Sequence, residues 1–103
     1  MSLNKIIAGD YGRYITITVY DVDTETIADL SQHADTISMF LKDPSNNITE
    51  HTAEFATDGS DGVVRYKILD GDIDEAGTWY VRVSVTNAAE KLSSEWGRFK
   101  VLS

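Results

Sequence analysis

The chain has 103 residues, no cysteine, and 17 Asp and Glu against 9 Lys and Arg, a formal charge of −8. That length suits one compact domain over residues 1–103. The charge speaks against nucleic acid and anionic membrane as partners, since both need a clustered basic surface. The absent cysteines exclude disulfides, thiolate nucleophiles and cysteine-held metals.

With hydrophobic residues at 42% and aromatic residues at 10%, the chain can build a core, so disorder is not expected. No apolar run reaches the length of a membrane-spanning helix. The start, Met1 to Ala8, lacks the apolar stretch of a signal peptide. Production in a cytoplasm is the expectation.

Taken in chain order, the hydrophobic period is two rather than 3.6. Asn4 to Ala8 is a weak strand candidate, closed by Gly9-Asp10-Tyr11-Gly12. Tyr14 to Tyr20 alternates, with Ile15, Ile17 and Val19 on one face and every residue a good strand former. Asp21 to Thr26 is a turn, and Ile27 to Leu30 a short edge piece. Thr36 to Lys42 directs Ile37, Met39 and Leu41 inward. A turn over Lys42 to Asn47 holds Pro44, the chain's one proline.

Ile48 to Ala56 is a second weak strand, and Asp58-Gly59-Ser60-Asp61-Gly62 a glycine-rich turn. Val63 to Ile68 directs Val64, Tyr66 and Ile68 inward. Asp70 to Gly77 is too acidic for a strand. One helical turn is expected there, capped by Asp70 or Asp72, with Ile73 pointing into the core. Trp79 to Thr86 directs Trp79, Val81, Val83 and Val85 inward, Asn87 to Glu90 turns, and Glu95 to Leu102 ends the chain with Phe99 and Val101 inward. Seven to eight short strands at this turn density predict an all-β fold, an antiparallel β-sandwich or barrel.

The stretch Asp74-Glu75-Ala76-Gly77-Thr78-Trp79-Tyr80-Val81 resembles the corner of immunoglobulin-like domains in which Asp-x-Gly-x-Tyr-x-Cys leads into strand F. Here Trp79 stands at the tyrosine position and Val81 at the cysteine position. Four further segments are Gly9-Asp10-Tyr11-Gly12, Ile15-Thr16-Ile17-Thr18-Val19, Asp29-Leu30-Ser31, and Gly71-Asp72 running to Gly77-Thr78-Trp79. Together they resemble the immunoglobulin-like modules of tailed-phage virion proteins, among them the N-terminal domain of siphophage baseplate upper proteins. The resemblance spans Gly9 to Val101. It implies an immunoglobulin-like sandwich with a structural role in a virion (tail, baseplate, neck or capsid decoration), made in the host cytoplasm. It implies other virion proteins or further copies of the chain as partners, and it transfers no active-site residue.

Two acidic runs, Asp21-x-Asp23-x-Glu25 and Asp70-x-Asp72-x-Asp74, are candidates for calcium, because alternate loop carboxylates suit its oxygen coordination. The second starts like an EF-hand loop but has Glu75 where the glycine belongs and Val81 where the closing glutamate belongs. Solvated turn acids are the favoured reading, and no metal or cofactor is expected. His33 and His51 lack partners at ligand spacing. No serine lies in Gly-x-Ser-x-Gly, and no phosphate-binding loop is present. The expectation is a protein without enzymatic activity.

The outward positions carry more. Phe40 lies opposite Met39 and Leu41, Tyr80 opposite Trp79, and Trp96 opposite Phe99 and Val101. In an immunoglobulin-like topology these strands share a sheet, so the three aromatics form a candidate binding stripe on its outer face. For Trp96 a bulge near Gly97 that turns the ring into the core stands beside that reading. The stripe suits protein–protein assembly. The alternative is a carbohydrate-binding or adhesion module that stacks sugars on Phe40, Tyr80, Trp96 or Tyr20. Open sheet edges offer a second route to subunit contact by strand addition, with Lys5 and Lys100 placed as gatekeepers against it.

Overall fold

A computed structural model describes residues 6–21, 26–27, 29–31, 36–89 and 91–103. Eleven strand segments and no helix occur among the described residues. They are β1 (Ile6–Ile7), β2 (Tyr14–Thr18), β3 (Tyr20–Asp21), β4 (Thr26–Ile27), β5 (Thr36–Lys42), β6 (Ile48–Thr52), β7 (Glu54–Phe55), β8 (Val63–Lys67), β9 (Gly77–Thr86), β10 (Lys91–Ser93) and β11 (Gly97–Leu102).

The larger sheet runs β1-β11-β9-β5-β6, with β10 also on β9. The smaller runs β2-β8-β7, and β3 pairs β4. All pairs are antiparallel except β1 on β11, which is parallel with Ile6 opposite Val101, so the larger sheet is mixed where a wholly antiparallel sandwich is expected. The two main sheets share one core, an arrangement consistent with a β-sandwich. The larger contributes Met39, Leu41, Trp79, Val81, Val83, Val85 and Val101, the smaller Ile15, Val64 and Tyr66. Burying one such aliphatic side chain stabilises the fold by roughly 1.5–3 kcal/mol. The ring of Trp79 lies 6.3 Å from that of its cross-strand neighbour Phe99. His51 of β6 and Tyr66 of β8 bring their rings to 4.7 Å, joining the two sheets.

Three expectations are corrected. The Ile48 to Ala56 segment is two strands in different sheets, because the chain crosses between sheets at buried Ala53, whose N–H donates to the Ile37 carbonyl. The final strand begins at Gly97, and β10 precedes it as a separate piece. The acidic segment holds no helical turn: Gly71 has φ +93°, which ends helical winding. Ile73 is nevertheless fully buried, and its carbonyl accepts from the Gly9 N–H at 2.7 Å. Asp72 accepts from the Leu69 N–H at 2.8 Å and from the Tyr66 hydroxyl, closing the turn from the side-chain end.

Burial, reinforced by the Asp72 carboxylate, pushes the Tyr66 phenol well above its ordinary value of 10.0. The folded state therefore holds the phenolic proton more tightly than the unfolded state. This contribution is complete below about pH 10 and is lost as pH rises through the folded value. Stability should fall with alkaline pH above about 10, and the Tyr66→Phe chain should lack that slope. Denaturant midpoints across alkaline pH measure it; parallel curves for the two chains would refute it.

A second prediction concerns two glycines with matched backbones. Gly59 has φ +89° and Gly71 φ +93°. A Cβ at Gly71 meets nothing within 4 Å, whereas one at Gly59 meets the Phe55 ring at 2.8 Å. Gly71→Ala should cost only the left-handed backbone penalty, about 1–2 kcal/mol. Gly59→Ala should cost a further 1–3 kcal/mol or so from overpacking. Urea midpoints check the difference, and equal losses would show that the ring moves aside freely.

Candidate binding face

The face opposite the core is set by the same alternation that builds the core. On β5 and β9, Phe40 pairs with Arg82 and Lys42 with Tyr80, all directed away from buried Met39, Leu41, Val81 and Val83. The next strands extend this face, Glu50 beside Phe40, Ile48 beside Lys42, and Arg98 beside Tyr80.

Trp96 joins the face through a bulge. Ser93 pairs with Ser84 and Gly97 with Val81, so three residues, Ser94 to Trp96, oppose two on β9. The extra residue is held in place. Ser94 donates its N–H to the Val83 carbonyl at 2.8 Å, its hydroxyl oxygen accepts from the Val83 N–H at 2.9 Å, and Arg82 Nε donates to the Ser94 carbonyl at 3.1 Å. A bulge re-aims the side chains that follow it. Here it leaves Phe99 and Val101 facing inward and sets Trp96, 38% exposed, over the outer face. The bulge is present, but it does not turn Trp96 into the core.

The structure thus brings Phe40, Tyr80 and Trp96 together and surrounds them with cations. Lys42 Nζ lies 5.0 Å from the Tyr80 ring centre and 5.2 Å from that of Trp96, and the Arg82 guanidinium carbon 5.9 Å from Trp96. Contacts of this kind are worth about 0.5–1 kcal/mol at exposed positions. Phe40, Ile48, Arg82, Lys91 and Trp96, together with Ser84 and Ser93, line a hollow of about 290 Å³.

The cations were missed in the sequence. Five of the nine Lys and Arg (Lys42, Arg82, Lys91, Arg98 and Lys100) stand outward on this sheet, whose strands carry a single carboxylate, Glu50. Glu50 is engaged by the Ser38 hydroxyl at 2.9 Å. The parity that places Phe40 and Tyr80 places Lys42 and Arg82 as well, and that signal was readable. A larger groove of about 460 Å³ runs between β2 and β11, lined by Ile6, Ile15, Ile17 and Phe99 among others.

Elsewhere the titratable groups serve turns and pairs. Arg65 bonds Glu54 at 3.0 Å, and its guanidinium carbon lies 4.5 Å from the Tyr14 ring centre. The Ser60 hydroxyl and N–H hold the Asp58 carboxyl below its ordinary value. Asp72 is turned to Tyr66 and Leu69 rather than presented with Asp70 and Asp74. His51 Nε2 meets the Thr49 hydroxyl at 2.9 Å. Among the described residues no group of three His, Cys, Asp or Glu is placed to hold a metal ion, and no helix is long and apolar enough to cross a membrane. Lys5, Asp23, Glu25, His33 and the Tyr20 side chain lie outside the described part. Compared with known proteins, the chain matches no protein-family model and no curated protein sequence.

Proposed function

We propose that this chain is a non-enzymatic assembly module of immunoglobulin-like type that binds protein through the outer face of its larger sheet. The observation that carries the reading is the hollow lined by Trp96, Phe40 and Arg82, beside which Lys42 lies over the rings of Trp96 and Tyr80. Trp, Tyr and Arg are the side chains that dominate binding energy when an interface closes over them. The immunoglobulin-like assignment is supported by the strand order. β1, β11, β9, β5 and β6 stand where A′, G, F, C and C′ would, and β2, β8 and β7 where B, E and D would. The resemblance of Gly9 to Val101 to tailed-phage modules adds the setting, a structural component of a phage or prophage virion.

The carbohydrate alternative uses the same rings, but Lys42 lies against both Tyr80 and Trp96. A sugar that stacks on those rings has to displace it. Carboxylates of a protein partner instead gain from the cations where they stand.

Trp96→Ala should lower the melting midpoint by several degrees, the worth of its two cation–π contacts, and leave the fold cooperative, because the ring lies outside the core. It should also weaken incorporation into purified particles, as scored by mass spectrometry after induction. A central anchor lost from such an interface costs about 2 kcal/mol, roughly 30-fold in Kd. Incorporation equal to the parent's would refute the reading. A glycan-array signal that disappears in Trp96→Ala would replace it with the carbohydrate alternative.

A further inference from the structure

The cationic, aromatic face has a counterpart on the same molecule. The β8–β9 connection exposes Leu69 to 60%, and the adjoining β1–β2 connection exposes Tyr11 to 63%. The Gly12 N–H donates to the Ile68 carbonyl at 2.7 Å, which sets the two segments side by side. Asp70, which follows Leu69, and Asp74 in the same connection are both exposed. The turn that presents Leu69 is tied at both ends. Leu69 N–H donates to the Asp72 carboxylate at 2.8 Å while its carbonyl accepts from the Asp72 N–H at 3.1 Å. Ile73, four residues on, is buried beneath. This is an apolar knob flanked by carboxylates and held in one conformation, which lowers the ordering cost of binding.

Resting on the reading of the sheet face as a protein-binding surface, we infer that its occupant is a second copy of this chain. Leu69 of one copy seats in the Phe40–Ile48–Trp96 hollow of the next, and Asp70 and Asp74 meet Lys42, Arg82 and Lys91. Charge complementarity selects this occupant: the hollow is rimmed by cations and the knob by carboxylates. The hollow is also large enough. A volume of about 290 Å³ exceeds the roughly 150 Å³ that admits a benzene-sized group. Knob and hollow are different patches, so the contact is head to tail and builds a ring or filament rather than a two-fold dimer. Each copy carries −8. Salt near 0.15 M, with a Debye length of about 8 Å, screens that general repulsion more than it screens pairs in contact.

Sedimentation velocity near 0.15 M salt tests the inference. The native chain should gain mass with concentration and pass beyond a dimer. Leu69→Ser, which removes the knob, and the double variant Lys42→Glu with Lys91→Glu, which sets two carboxylates in and beside the hollow against those of the knob, should each sediment as monomers. Mixed in equal amounts, they should form a heterodimer and stop there, because the mixture restores one working knob and one working hollow. Circular dichroism and melting curves on each variant confirm that these surface changes leave the fold intact. A native chain that stays monomeric at every concentration, a mixture that stays monomeric, or a dimer indifferent to Leu69→Ser would each overturn the inference. A monomeric native chain that still enters particles in a Trp96-dependent way would overturn self-docking alone and leave the assembly reading standing.

Discussion

The pairing of β9 along both of its edges is the constraint on which the rest of the molecule depends. Its inner face, Trp79, Val81, Val83 and Val85, is buried throughout. Seven consecutive pairs lock β5 to one edge, and five lock β11 to the other. Side chains alternate strictly on a strand, so a slip of one residue would exchange every inward group for an outward one. The hydrophobic effect on Met39, Leu41, Val101 and the β9 valines therefore also fixes what the outer surface shows. Phe40, Lys42, Tyr80, Arg82, Arg98 and Lys100 take their side of the sheet from this alternation, and the contacts of Lys42 and Arg82 with the rings and the bulge form on the face it assigns them. They are outward because their neighbours are inward.

The bulge at Ser94 to Trp96 answers a conflict in that scheme. Leu92 and Phe99 both pack on the core, yet they are seven residues apart, an odd spacing that an unbroken strand cannot place on one face. One extra residue between β10 and β11 resolves the parity. Because Arg82 itself hydrogen-bonds the Ser94 carbonyl, the residue that lines the hollow also fastens the bulge that brings Trp96 to it. Core packing and surface chemistry meet at one side chain.

Strands with clean alternation were legible in the sequence because burial on one side writes itself as a period of two. Thr36 to Lys42 is found with the same ends as β5, and the inward sets of Val63 to Ile68 and Trp79 to Thr86 are the buried ones. What escaped depends on contacts distant in sequence. The crossing at Ala53 leaves the local pattern intact while the partner strand changes from β5 to β8. The β10 strand is short and ends at the parity break. The acidic run looked like a helix start because acids favour one, but Gly71 and the Asp72 side chain close a turn instead. Of the binding face, the aromatics were legible from their parity. Lys42 and Arg82 have the same parity, but a total charge does not show which face its cations share.

That total is the least informative description of this surface. The acids concentrate in connections, at Asp58 and Asp61 at one end of β8 and at Asp70, Asp74 and Glu75 at the other, while over half of the cations share one sheet face. Beyond a Debye length of about 8 Å a partner senses little of the whole. At contact it meets either a cationic, aromatic hollow or an acidic end tipped with Leu69 and Tyr11. The segregation follows from the fold. Turns demand Asp, Asn and Gly for their backbone geometry, which draws negative charge to the strand ends. The exposed side of a sheet has no such demand and is free to carry Lys and Arg beside aromatic rings. A chain of net charge −8 thereby presents two surfaces of opposite sign, each with an apolar group at its centre. Those are the ingredients of directional association.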